Sequence, residues 1–298
     1  MRKKIVQIPG KFYFLRETLP VALKRVHGKI VTHPHDYTGV PHWHDFSELV
    51  IVTGGSGLQN INGTVYPVSR GDVFVITGKT THFFENYRNL EITNIMYSER
   101  IFRDLREYLK RIPGYHVVFR FEPELRGRRA FHNTLHLSPQ ALAHVTRTAG
   151  KMNFELERGE PGCEAAVLAL LFELIVFLSR SLDDPGSSRH SVTRLAGLFS
   201  TLEASFQEDW PLERMAGIAG MSVNTLLRTF QAVAKQTPLQ YLTALRMNAA
   251  CTMLETSDRS VSEIAFLCGF HDSNYFTKRF HAQFHQSPGK WRRECARR

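Results

Sequence analysis

The sequence predicts an α+β protein of two domains: an N-terminal β-barrel of jelly-roll type with packing or dimerisation helices behind it, and a C-terminal domain that is all helix. Three observations predict this. Between residues 29 and 97, short β-branched and aromatic runs alternate with Gly/Asn turns, the pattern of many short strands. From Glu99 onward, apolar residues recur at helical spacing. In the C-terminal third one helical unit occurs twice, with Phe230 eight residues before Pro238 and Phe280 eight before Pro288. A chain of 298 residues can bury a separate core in each domain. The expected boundaries are 1–182 for the barrel and its helices, 183–192 for a linker and 193–298 for the helical domain.

The strand runs are Phe46–Val52, Gly57–Ile61, Val65–Val68, Val73–Thr77 and Leu90–Tyr97. Asn62-Gly63 favours the positive φ angles of a two-residue hairpin. Gly54-Gly55-Ser56-Gly57 reads as a second turn. Helices are expected over Glu99–Arg111, Ser138–Arg158 and Cys163–Leu182. Within the last of these, Ala165–Leu178 is apolar nearly all round, so it is buried either against the barrel or in a dimer interface. Asp183–His190, rich in Asp, Gly, Pro and Ser, reads as the linker.

Each copy in the helical domain has a short helix, a Gly turn and a second helix. The first runs Leu212–Ala219, Gly220-Met221-Ser222, Val223–Ala234; the second runs Val261–Cys268, Gly269 to Ser273, Asn274–Phe284. The copies align at an offset of 49 before the turns (Gly220 with Gly269) and 50 after them (Leu226 with Phe276, Tyr241 with Trp291). Two helices about such a turn make a helix-turn-helix, at 212–234 and 261–284, whose second helix enters the major groove of DNA. Ser222, and Asp272 or Ser273, cap the second helices. Leu226, Phe230 and Val233, like Phe276, Phe280 and Phe284, form an inward stripe. That leaves Asn224, Thr225 and Arg228 in one copy, and Asp272, Asn274, Thr277 and Lys278 in the other, on the free face. Thr237 and Pro238 start a helix that runs to about Glu255, a rod of roughly 27 Å at about 1.5 Å per residue. A rod of that length suits two readers set about one DNA turn apart, roughly 34 Å.

The net charge of +10 does not locate that surface. Residues 191–298 carry 13 Lys/Arg and 9 Asp/Glu, a net of +4, and the remainder carries +6. Lys278, Arg279, Lys290, Arg292, Arg293, Arg297 and Arg298 do cluster against Glu294, which suits phosphate neutralisation or a solvated end. Cys163, Cys251, Cys268 and Cys295 form no CxxC and are expected to be free thiols in a reducing compartment. The N-terminus lacks the apolar stretch of a signal peptide, and Ala165–Leu178 is too short to span a bilayer. The expected location is the cytoplasm, without a membrane partner.

A second constellation lies among the strands. His42-Trp43-His44-Asp45-Phe46-Ser47-Glu48 is followed by His82-Phe83-Phe84-Glu85-Asn86. Side chains alternate along a strand, so His42, His44 and Glu48 are expected on one face, with His82 and Asn86 on another. The two segments resemble the two cupin motifs. By that resemblance, residues at the positions of His42, His44, Glu48 and His82 hold Zn, Mn, Fe or Ni, or else form a polar lining for an effector. The second segment departs from the pattern, with Thr77 and Lys79 where Pro and Gly are usual. His33, His35, Tyr37 and Trp43 are further candidates for stacking on a sugar ring.

Arg246 to Pro288 resembles the signature stretch of the AraC/XylS family of transcription regulators, and the resemblance covers about Thr193 to Arg293. Gly269-Phe270-His271-Asp272-Ser273-Asn274-Tyr275-Phe276 is especially similar to the family's rhamnose-operon activators. So are His44-Asp45-Phe46-Ser47-Glu48-Leu49-Val50-Ile51-Val52 and Ser69-Arg70-Gly71-Asp72. The resemblance implies base or phosphate contacts at Asn224, Arg228, Asp272 and Asn274, with Ser273 beside them. It also implies a cupin sensor, a homodimer, promoter DNA and RNA polymerase as partners, and a small sugar effector, L-rhamnose first. The chain departs from the family where a Gly is usual three residues before each Pro, having Lys235 and His285 instead. Three classes of function compete: a sugar-responsive, sequence-specific activator that is not an enzyme; a metal-dependent cupin isomerase or dioxygenase fused to a reader; and a ligand-independent DNA-binding regulator. The duplicated reader favours the first.

Overall fold

A computed structural model describes residues 5–14, 18–27, 39–102, 105–123, 135–182 and 191–295. Residues 183–190 of the linker expected at 183–192, together with His33, His35, Tyr37, Arg297 and Arg298, lie outside the described residues, and the linker's last two residues begin a helix. The chain divides into two compact units, Met1–Ser188 and Arg189–Arg298.

The first unit contains strands β1 (Val6–Ile8), β2 (Val21–His27), β3 (His42–His44), β4 (Ser47–Ile61), β5 (Thr64–Ser69), β6 (Asp72–Ile76), β7 (His82–Tyr97) and β8 (Leu135–His136). β4 and β7 pair antiparallel along almost their full length, from Ser47↔Tyr97 to Ile61↔His82. Each half of this ribbon acquires its own neighbours. The β4 start and β7 end are flanked by β6 and β2, and the β4 end and β7 start by β5 and β3. The result is two half-sheets sharing two long strands, a jelly-roll arrangement.

The bend between the halves corrects one expectation. Gly54-Gly55-Ser56-Gly57 is not a turn between two strands but lies inside the single strand β4. The register with β7 shifts at Val52/Gly54, Gly54/Ser56 and Ser56/Leu58, and such bulges bend and twist a ribbon. Gly55 has φ +66°, and a Cβ there would stand 2.1 Å from the Asn89 carbonyl oxygen, so only glycine fits. Across the ribbon Asn86 and Asn89 take φ of 50° and 45°, a conformation Asn tolerates. Val26, Val50, Val52, Val68, Phe74, Ile76, Phe84, Leu90 and Ile92, drawn from both halves, close on one another as the core.

Helices α1 (Pro139–Arg158) and α2 (Cys163–Arg180) follow the strands. Ser138 caps α1 by accepting from the Ala141 N–H, and Gly159 ends it with a left-handed residue. One face of α2, including Val167, Leu171, Leu174 and Leu178, is fully buried. The single helix expected over Glu99–Arg111 is instead divided into a 3₁₀ turn at Glu99–Phe102 and a short helix at Arg106–Leu109. A π-helical turn follows at His116–Phe121. Each piece buries its own apolar side chains, and Pro113 holds Ile112 extended (ψ 113°) between them.

The second unit is all helix: α3 (Ser191–Ala204), α4 (Leu212–Ile218), α5 (Val223–Ala234), α6 (Pro238–Thr256), α7 (Val261–Leu267), α8 (Ser273–Phe284) and α9 (Pro288–Cys295). The predicted boundaries hold to within a residue or two, and four of the starts, those of α5, α6, α7 and α8, have a side-chain cap. Ser222 accepts from Thr225 N–H, Thr237 and Ser260 form capping boxes, and Asp272 accepts from two backbone N–H groups. The duplication extends to packing. Phe230 meets Tyr241 edge-on at 5.6 Å, and fifty residues on Phe280 meets Trp291 the same way at 5.8 Å.

Lys235 and His285 end α5 and α8 at φ +58° and +57°, the left-handed position where glycine is favoured. Lys235→Gly is therefore expected to raise the unfolding free energy by about 0.5–1 kcal/mol, since a Cβ in that conformation costs about 1–2 kcal/mol and glycine's freedom in the unfolded chain offsets part of the gain. Chemical denaturation reads this, and a loss of stability would mean that the Lys235 Nζ bond to the Ala232 carbonyl outweighs the relieved strain.

Candidate ligand site and nucleic-acid interface

In the first unit the structure gathers His42, His44, Glu48 and His82, all buried. They do not share a strand, as the spacing suggested: the chain kinks at Asp45-Phe46, so His42 and His44 lie on β3 and Glu48 on β4. His82 belongs to the other half of the ribbon, where it pairs with Ile61, whereas Glu48 pairs with Met96. The bend closes that gap. Glu48 Oε2 stands 3.2 Å from His82 Nε2 and 3.5 Å from His44 Nε2.

The ring nitrogens are oriented by backbone. His42 Nδ1 lies 2.7 Å from the Val40 carbonyl, His44 Nδ1 2.7 Å from that of Phe46 and His82 Nδ1 3.0 Å from that of Thr80. A carbonyl only accepts, so each Nδ1 carries a proton and each Nε2 of a neutral ring presents a lone pair. Lone pairs of His44 and His82 therefore face the Glu48 carboxylate, which is favourable only with a second proton on a ring or with a bound cation. Burial alone would push the Glu48 carboxyl up, but His44 and His82 rings protonated at Nε2 outweigh it and hold the group well below the usual carboxylate range. The His42 ring lies beside that of His82, centres 4.2 Å apart and tilted by 57°. Burial first, and His82 second, push its pKa down to about 4, so at neutral pH it is an uncharged ring.

These residues fit a divalent ion. Nε2 of His44 is buried without a hydrogen-bond partner, and donor atoms of His44, Glu48 and His82 lie within 4.8 Å of one another. Two imidazoles and a carboxylate suit Zn, Mn, Fe or Ni, and carbonyl-held Nδ1 atoms are the usual support of such ligands. His42, named with them from the sequence, is outside that trio. Asn94 was not singled out by the sequence: its Nδ2 donates to Glu48 Oε1 at 2.7 Å, while its Oδ1 is buried without a partner. Asn86, expected on the His82 face, is instead taken up by the bend. Trp43 alternates away from the cluster, with Lys79 Nζ 5.9 Å from its ring centre.

In the second unit, α5 and α8 present matching stripes. Asn224 and Arg228 on α5, and Asn274 and Lys278 on α8, are exposed one turn apart at an offset of fifty. The other four named residues are engaged locally. Asp272 Oδ1 accepts from the Asn274 and Tyr275 N–H groups, at 2.7 and 3.3 Å. Thr225 Oγ1 accepts from the Ser222 hydroxyl at 2.9 Å. Ser273 Oγ lies 3.1 Å from Ser262 Oγ, and Thr277 donates to the Ser273 carbonyl. Tyr275, 52% exposed beside Asn274, was read only as part of the resemblance. Arg246 on α6 donates to the carbonyls of Phe206 and Glu208, just before α4, at 2.8 and 2.7 Å, and its guanidinium stands 5.8 Å from the Phe270 ring in the second turn. A Cβ on Gly269 would meet the Gln207 carbonyl oxygen at 2.6 Å, so the turn can approach only as glycine. His271 Nε2 and Asp209 Oδ1, both exposed, stand 2.7 Å apart across the same junction.

A jelly-roll barrel with a buried polar cluster, followed by a duplicated helix-turn-helix, defines a two-domain regulator with a ligand-binding module and a DNA reader. The comparisons with known proteins agree: residues 28–199 match the AraC-like ligand-binding domain and residues 215–294 a helix-turn-helix domain. The chain belongs to the AraC family. It is 34% identical, over 83% of its length and 85% of the relative's, to the HTH-type transcriptional activator RhaS of Salmonella arizonae. It is 24% identical, over 97% of each chain, to the HTH-type transcriptional activator RhaR of Mannheimia succiniciproducens. Among solved structures, the DNA-binding domain of the transcriptional factor AdpA, in complex with target DNA, is 35% identical over 35% of this chain and 96% of that one, with a TM-score of 0.35. Among the described residues no helix is long and apolar enough to cross a membrane.

Proposed function

We propose that this protein is a cytoplasmic transcription activator that binds promoter DNA through α5 and α8 and answers a small sugar, L-rhamnose, held at His42, His44, Glu48 and His82. The observation that carries the sugar reading is the pair of buried acceptors without donors, His44 Nε2 and Asn94 Oδ1. Unsatisfied buried acceptors cost roughly 1–3 kcal/mol each, and the hydroxyls of a sugar supply the missing donors. The kinship with RhaS and RhaR supports L-rhamnose first. On the DNA side Asn224, Arg228, Asn274 and Lys278 contact bases and phosphates, while Thr225, Asp272, Ser273 and Thr277 act by holding the helix starts. A ligand shifts DNA occupancy only if it binds one arrangement of the protein better than the other. Dimerisation is proposed through α1 and α2, where Phe154 is 53% exposed and lines an apolar cleft with Ala166, Ala169 and Leu170. RNA polymerase would then be the partner on the promoter.

The test is the melting temperature of the full chain against a panel of monosaccharides. A sugar at a hundred times its Kd adds about 2.7 kcal/mol, or roughly 5–10 °C for a unit of this size. A selective rise with L-rhamnose, lost in His44→Ala while cognate DNA affinity is kept, is the expected result. A flat panel would remove the sugar reading.

A second reading of the same cluster, favoured by the lone pairs turned on Glu48, is that His44, Glu48 and His82 hold a divalent ion, which would supply a fixed positive charge for ligand oxygens. Metal analysis should return one ion per chain, lost in His82→Ala. A metal-free native chain would leave the cluster as a hydrogen-bonding lining.

A further inference from the structure

On the outer face of the half-sheet formed by β2, β4 and β7, under the first turns of α1, lies a notch of about 430 Å³. It is separate from the His/Glu cluster, which lies between the two half-sheets. Three guanidinium groups border it: Arg25 on β2, Arg70 in the turn before β6 and Arg147 on α1. All three side chains are exposed, and none has an ion-pair or hydrogen-bond partner among the described residues. Among the described residues the single carboxylate in the wall is Glu91, which lies over Gly54 at the bend, so close that a Cβ there would stand 2.8 Å from its Oε2. Thr53 and Thr93 contribute hydroxyls.

We propose that this notch binds a small oxyanion, the phosphate or carboxylate group of a metabolite. Three like charges around one concavity, with one carboxylate to offset them, repel one another and focus a positive potential into it. Guanidinium groups are the side chains best shaped to grip such a group with paired N–H donors. The volume falls within the range of small-molecule pockets and is too confined for a macromolecular surface. Arg25 belongs to the sheet, Arg70 to the turn between β5 and β6 and Arg147 to α1, and Arg25 Nη2 already stands 3.2 Å from where a Gly150 Cβ would be. A bound oxyanion therefore pins α1 to the barrel, which makes this a second ligand input, independent of the first.

The experiment is scanning calorimetry of the full chain in inorganic phosphate, in citrate and in a sugar phosphate, each against chloride at equal ionic strength. The wild type should melt roughly 3–5 °C higher at an anion concentration ten times its Kd. Arg70→Gln and Arg147→Gln, both at exposed positions that leave folding intact, should each lose most of that rise. Lys151→Gln, which removes a charge one turn further along α1 but outside the notch, should keep it. Whichever anion gives the rise at the lowest concentration distinguishes a phosphate from a carboxylate ligand. Equal rises in all four proteins would reveal a general salt effect and overturn the site, as would no rise in any anion.

Discussion

Phe280→Ala is expected to destabilise the helical unit by about 3–5 kcal/mol, the usual cost of emptying a fully buried aromatic site. Phe280 has no exposed surface, and its ring touches Phe276 at 5.6 Å, Phe284 at 4.6 Å and Trp291 at 5.8 Å. These rings belong to α8 and α9, and the same cluster includes Met247, Leu254 and Ile264 from α6 and α7. No neighbour can swing in to fill the space without leaving its own helix face. Domains are stable by only about 5–15 kcal/mol, so the variant should unfold its second reader first and lose specific DNA binding with it. Guanidinium denaturation followed by far-ultraviolet circular dichroism measures the loss. Phe266→Ala, at a site 58% exposed on α7, is the comparison and should change stability by less than about 0.5 kcal/mol. A cost below about 1 kcal/mol for Phe280→Ala would mean that this cluster does not hold the second motif.

The double variant Asn224→Ala, Asn274→Ala is expected to weaken cognate binding by about 2–6 kcal/mol, the sum of about 1–3 kcal/mol at each base-contacting position. Additivity is expected because the two residues sit on different recognition helices with no shared partner. Both side chains are exposed, and neither caps its helix: Ser222 and Asp272 do that. Stability should therefore hold while affinity falls. Fluorescence anisotropy on cognate and scrambled duplexes separates the cases, since loss of base readout lowers the first and spares the second. Equal losses on both duplexes would assign these residues to the phosphate backbone. No loss on either would take them off the interface.

The two units differ in how much of them could be read. The helical unit was legible almost residue by residue. Helix starts, ends and inward faces depend on groups within about four residues of one another, which a sequence displays directly. What escaped notice there was local competition for hydrogen bonds. Thr225, Ser273 and Thr277 look like free polar side chains, but their hydroxyls are engaged within their own helices or with the neighbouring one.

In the barrel the candidates were legible and their arrangement was not. The sequence by itself determined the two-domain organisation, the duplicated reader, the hairpin at Asn62-Gly63 and the identity of His42, His44, Glu48 and His82. Only the tertiary structure decided that Gly54–Gly57 bends one strand rather than joining two, and that this bend brings His82 to Glu48. It also decided that Asn94 completes the cluster and that Arg25, Arg70 and Arg147 meet around one notch. The reason is physical. Strand register and sheet curvature are set by pairing between residues far apart in the chain, so side chains from opposite ends of a folded ribbon become neighbours without any spacing that announces it.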